Sequence, residues 1–184
     1  MSAARRSGGH GARGLARRRA MQALYQWQLN QQAAKDIVLQ FAADKEHGRA
    51  DHEFFRELVC SVIDRREELD SAIAELSDRD VAQLDPVEHA ILLIGIYELT
   101  ECQDVPYRVV INEAVELCRS YGAEDGHKFV NALLDRAAHR LRAAEIAAAR
   151  GASAVERCLI RLCEVRVEVQ DGAVRGADPL SCFH

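Results

Sequence analysis

The stretch from Leu84 to Cys102 constrains the fold more than any other part of this chain. Asp85-Pro86-Val87-Glu88 is a helix start: the aspartate caps, the proline takes the first position where its missing N–H does no harm, and the glutamate can reach back. The run from His89 to Cys102 is then apolar nearly all round through Ile91, Leu92, Leu93, Ile94, Ile96 and Leu99. A helix apolar on every side is the central member of a bundle, or buries one face against a partner. Three prolines and eleven glycines in 184 residues supply too little turn chemistry for a sandwich or barrel. The expectation is an all-α fold, a compact helical bundle.

Other segments repeat the helical period. Ala16, Ala20, Leu24, Trp27 and Gln31 fall on one face of a helix beginning near Leu15, with Met21 and Tyr25 beside it. Asp36 to Ala43 is a short helix with Ile37, Val38 and Phe41 inward. Asp51 can cap a helix whose Phe54, Phe55, Leu58, Val59, Val62 and Ile63 form a broad apolar stripe. The charged run Asp64 to Asp70 suits a solvated face, and Leu69, Ile73 and Leu76 restore the spacing. Pro106 opens a helix carrying Val110, Ile111, Ala114 and Leu117, closed by Gly122 as a C′ glycine. A last strong helix is expected from Glu124 to Ala144. Beyond it the pattern weakens to an isolated alternation at Val165 to Val169, which has no strand to pair with. The domain expectation is a flexible basic arm over 1–14, a helical domain over 15–144 and a poorly ordered extension over 145–184.

Charge divides the chain. The net charge is −5, yet Met1 to Lys35 holds seven basic residues (Arg5, Arg6, Arg13, Arg17, Arg18, Arg19, Lys35) and no acid. Such a split suggests an arm that contacts nucleic acid, though a solubilising tail has the same composition. Arg17, Arg18 and Arg19, placed in the first turns of a helix, oppose its dipole, and an anionic ligand would remove that penalty. Six cysteines without a C-x-x-C pair, and no apolar run of membrane-spanning length, are consistent with reduced thiols in the cytoplasm and no membrane partner.

Catalytic patterns are missing. His52-Glu53-Phe54-Phe55-Arg56 begins like a zincin helix, but Arg56 stands where the second ligand belongs. Cys158 and Cys163 have no neighbouring Cys/His pair, so no metal is expected. There is no nucleophile elbow and no phosphate loop. Glu124 and Asp125 suit helix caps better than an acid pair. No catalytic residue and no cofactor is implied. Arg13 and Arg17 to Arg19 suit phosphate contacts, which give affinity and salt dependence. Tyr25, Lys128, Phe129 and Asn131 are of the types that read unstacked bases. Phe129 equally suits a core stripe, and Tyr25 a half-buried anchor.

Three segments carry a resemblance. RRRAMQALYQWQLN (Arg17 to Asn30), LDPVEHAILLIGIYEL (Leu84 to Leu99) and DVPYRVVINEAVELCRSYGAEDGHKFVNALLDRAA (Asp104 to Ala138) resemble, in order, the first helix, central helix and most characteristic segment of the NusB transcription antitermination family. The resemblance covers about Arg13 to Leu141. It implies two small helical subdomains packed together and an RNA-binding factor, not an enzyme. Such a factor binds the boxA segment of nascent single-stranded RNA together with the small-subunit ribosomal protein that acts as NusE. The pair would join the RNA polymerase elongation complex with other Nus factors and suppress termination in ribosomal RNA operons. By resemblance, Arg13, Arg17, Arg18, Arg19, Tyr25, Asp125, Lys128 and Phe129 would face RNA. Glu88 and Ile91 would contribute to the protein partner's surface. Self-association into a homodimer through that surface is left open.

Two departures stand out: Gly14 and Leu15 occupy places where a denser basic run is expected, and nothing after Leu141 matches the family. Ribosomal RNA methyltransferases with a NusB-like domain need a further cofactor-binding domain, for which too few residues remain. A helical module that binds protein alone is the remaining alternative. A flat salt dependence of binding would mark it.

Overall fold

The structure, a computed structural model, describes residues 9–44 and 48–150. Its helices are α1 (Gly9–Asn30), α2 (Ala34–Ala42), α3 (His52–Asp64), α4 (Arg66–Leu76), α5 (Pro86–Glu101), α6 (Tyr107–Tyr121) and α7 (Gly126–Leu141), with a 3-10 turn at Val81–Gln83 before α5. No strand occurs among the described residues. One group of helices is α1, α2 and α3, the other is α4 to α7, and α1 lying on α5 joins the two.

α5 is the centre. It packs against α1, α3, α4, α6 and α7, and every residue from Glu88 to Leu99 is buried. Each Leu or Ile in that run contributes roughly 1.5–3 kcal/mol by leaving water. Its pattern, apolar on all sides, is what a helix with neighbours on all sides requires. Of the two readings open from sequence, the central helix is the one observed. Gly95 lets α7 approach, since a Cβ there would meet Leu134 Cδ2 at 2.8 Å.

The start of α5 is held as expected by Asp85, whose carboxylate accepts from Val87 N at 2.9 Å and Glu88 N at 3.3 Å. The reciprocal half of the capping box is not made, because the Glu88 side chain goes to α7 instead. A polar relay ties this end to its neighbours: His89 Nε2 lies 2.6 Å from Asp70 Oδ1 on α4, and Nδ1 lies 3.1 Å from Gln28 Oε1 on α1. Gln28 Nε2 then donates to the Pro86 carbonyl at 2.9 Å.

Several local expectations change. α1 begins at Gly9, not Leu15, so Arg13 lies within the helix and Arg17 to Arg19 lie in its middle. Those arginines therefore do not oppose the helix dipole, whose effect is confined to the first turn. Asp51 caps α3 as expected, accepting from Phe54 N at 3.1 Å. Gly122 is not a left-handed C′ residue; it is extended at φ −83° and ψ 179°. Glycine is needed there for space, as a Cβ would sit 2.7 Å from Cys118 Sγ. The last helix ends at Leu141 rather than Ala144. Arg142 stops it, its guanidinium donating to the carbonyls of Leu99, Glu98 and Cys102 at 2.6, 3.1 and 2.8 Å. Residues 143–150 are helical; the expected alternation at Val165 to Val169 lies outside the described residues, as does most of the extension.

Candidate nucleic-acid interface

The basic residues of α1 have different fates. Arg17 is withdrawn into the interior, where its Nε and Nη2 reach both carboxylate oxygens of Glu98 at 2.8, 3.1 and 2.7 Å. Its Nη1 lies 3.6 Å from Glu113 on α6. Arg17 therefore joins α1 to α5 and α6 and presents no charge to RNA. Arg19 is also buried, paired with Asp44 and stacked over the Phe41 ring at 4.9 Å. Arg13 is half-exposed but engaged: Asp104 lies at 3.1 Å, Asp51 at 3.7 Å and the Phe54 ring beneath it at 4.9 Å. Arg18 is half-buried and has no carboxylate within ion-pair distance among the described residues. Of the four arginines expected to face phosphates, Arg18 alone is placed to do so unaided, and Arg13 only by leaving its acids.

Tyr25 is 39% exposed on α1. It lines a groove of about 450 Å³ between α1 and α2 with Arg19, Gln22, Gln26, Leu29, Gln40 and Phe41. Gln26 and Gln40 bond across this groove at 2.8 Å, so paired amides line it together with the Tyr25 ring. Leu29, 66% exposed, also borders a second groove of about 900 Å³ that contains Trp27, Arg66, Asp70, Arg79 and His89.

The other cluster stands at the start of α7. Asp125 adopts the left-handed region at φ 65°, makes no cap with its side chain and pairs with Lys128 Nζ at 2.8 Å. It is thus a turn residue masking a lysine, not the cap expected from sequence. Phe129 is half-buried, and the Arg79 guanidinium lies 4.6 Å over its ring. The ring is a surface feature beside Lys128 rather than a core residue. Arg79 was not evident from the sequence. It sits in a polar loop fifty residues before Phe129, and no periodicity links the two. Because Arg79 lines the second groove and covers Phe129, the Tyr25 groove and the α7 start are joined through Leu29 and Arg79.

Glu88 and Ile91 are not surface residues. Ile91 is 1% exposed and Glu88 is 4% exposed, so neither residue of the expected partner surface reaches solvent, with α1, α3, α4, α6 and α7 packed round α5. Burial pushes the Glu88 carboxyl above its usual range, neighbouring Asp85 pushes it further, and Arg79 pulls it back. A Cβ on Gly126 would overlap Glu88 Oε1 and lie 3.4 Å from Cys118 Sγ, so the carboxyl rests against the first residue of α7.

Among the described residues, no group of three or more His, Cys, Asp or Glu side chains is disposed to hold a metal ion. No described helix is long and apolar enough to cross a membrane.

Comparison with known proteins agrees with this geometry. The sequence model of the NusB family matches residues 15–139. "Transcription antitermination protein NusB" of Marinomonas sp. is 47% identical over 77% of this chain and 82% of its own length. The protein of the same name from Xanthomonas euvesicatoria is 48% identical over 77% of this chain and 86% of its own. Among solved structures, Thermotoga maritima NusB superposes with a TM-score of 0.60 at 28% identity, covering 68% of this chain and 89% of that one. NusB from Aquifex aeolicus gives 0.61 at 27%, covering 74% and 93%. A crystal structure of antitermination factors NusB and NusE in complex with dsRNA gives 0.57 at 27%, covering 67% and 93%. The order of the helices, the buried central α5 and the match over residues 15–139 together show that this chain belongs to the NusB family.

Proposed function

We propose that this protein is an RNA-binding transcription antitermination factor. It binds boxA-type single-stranded RNA with the ribosomal protein NusE and joins the RNA polymerase elongation complex in the cytoplasm. The observation that carries the reading is the start of α7. The Arg79 guanidinium stacked over the half-buried Phe129 ring, with Lys128 and its partner Asp125 beside it, offers a planar cation for unstacked bases and a lysine for phosphate, the chemistry that single-stranded RNA requires. A solved relative in complex with NusE and dsRNA supports RNA and NusE as ligands.

With Glu88 and Ile91 inside the bundle, the NusE surface is assigned elsewhere. Leu29 and Leu39 are the most exposed large apolar side chains among the described residues, and Leu29 adjoins the Tyr25 groove. A protein partner seated there would shield them from water.

The test is fluorescence anisotropy of a labelled boxA-type RNA, with and without purified NusE, at two salt concentrations. Binding that tightens with NusE and weakens with salt is the expected result. Binding of NusE alone, with no RNA bound in any condition, would replace this reading with a protein-interaction module.

A further inference from the structure

We propose that Glu88 is a positioning residue for the RNA-facing turn at the start of α7, acting through Gly126; this rests on the functional reading above. The helix α7 begins without help from its own sequence. Its first turn holds no acid, and Asp125 at its head makes no side-chain cap, being engaged with Lys128. The backbone of the turn supplies the first bonds, Gly126 N donating to the Ala123 carbonyl at 3.0 Å and Lys128 N to the Asp125 carbonyl at 2.9 Å, so the packing beneath the turn sets its position.

Glu88 supplies that packing from another helix. It stands in the first turn of α5, where sequence logic aims it back at Asp85, yet its carboxyl rests against Gly126. The space exists because residue 126 has no side chain. Arg79 is within electrostatic reach of Glu88 and at the same time covers the Phe129 ring. Glu88 therefore touches the arrangement beneath the backbone that carries Lys128 and Phe129, and acts on the Arg79 guanidinium at a distance through charge alone. Its burial, at 4% exposure, removes it from direct RNA contact and gives it a fixed place.

The experiment uses the full chain and two readouts: affinity for fluorescein-labelled boxA-type RNA across a salt series, and amide hydrogen exchange of the free protein. E88A weakens RNA binding about tenfold with the salt slope unchanged, because no phosphate contact is lost. E88Q, which keeps the shape of the side chain, stays within about threefold of wild type. G126A reproduces the tenfold loss, and E88A/G126A is no weaker than G126A, since the two residues share one contact. In E88A the amides of Lys128, Phe129 and Val130 exchange about tenfold faster while those of α3 do not change. A changed salt slope, additive losses in the double variant, or unaltered exchange at the start of α7 would each overturn the proposal. Should wild type itself fail to bind the RNA, the functional reading falls, and the exchange measurement alone decides whether Glu88 sets this turn.

Discussion

The Arg17 guanidinium holds Glu98 through two parallel bonds, 2.8 Å from Nε to Oε1 and 2.7 Å from Nη2 to Oε2, with Glu98 1% exposed. Paired charges in this setting are desolvated, and removing one partner strands the other. Burial pushes the Glu98 carboxyl up, and Arg17 works against that shift. R17A is expected to destabilise the fold by about 3–5 kcal/mol, and R17K to fall between, since an ammonium cannot fork. Thermal melts followed by circular dichroism check this. R18A should leave the melt unchanged and weaken RNA binding, separating the structural arginine from the available one. A stable R17A would sink the assignment.

Arg13 is held back from solution by Asp104 and Asp51. An RNA phosphate must compete with both. D104N is expected to tighten RNA binding about two- to fivefold and to steepen the salt slope by about 0.7, the value for one added single-strand phosphate contact. R13A in the same background should abolish both gains. Equal affinity of D104N and wild type would show that Arg13 takes no part.

Lys128 is masked in the same manner by Asp125. Asparagine tolerates the left-handed backbone that residue 125 adopts, so D125N frees the lysine without straining the turn. Tighter RNA binding by D125N, with an unchanged melting temperature, is the expected outcome in a titration against wild type. Weaker binding would mean that the carboxylate itself contacts RNA.

Two thiols are sealed in the core. Burial, with nearby carboxylates, pushes Cys102 up to about 12 and Cys118 up to about 11. Raised values keep both sulfurs as unreactive thiols, with roughly one part in a thousand or less as thiolate at pH 8. Peptide mapping after brief iodoacetamide treatment at pH 8 should find both unmodified in the native protein and both modified in guanidinium. Rapid native labelling at either position would contradict the packing of α5 against α6.

The fold was legible where one physical rule dominates. The cap at Asp85, the apolar circumference of α5 and the cap at Asp51 depend on neighbours in sequence, and all were readable as such. Charge was legible only as a sum. Seven cations without an acid mark a basic segment, but Arg17, Arg18 and Arg19 are equivalent in a sequence and opposite in the structure. The partners of Arg17 and Arg19, Glu98 and Asp44, come from distant segments.

The chain by itself determined that α5 must be enclosed, because its apolar side chains leave water whichever helices cover them. It also determined the order of the helices along the chain. Tertiary structure decided which charges are neutralised and which groups meet. Glu88 against Gly126 and Arg79 over Phe129 both join residues about forty to fifty positions apart, and neither pair leaves a periodic trace. Hydrophobic burial depends on composition and local period, whereas an ion pair or a stacked cation depends on a specific contact that exists only after the helices have packed.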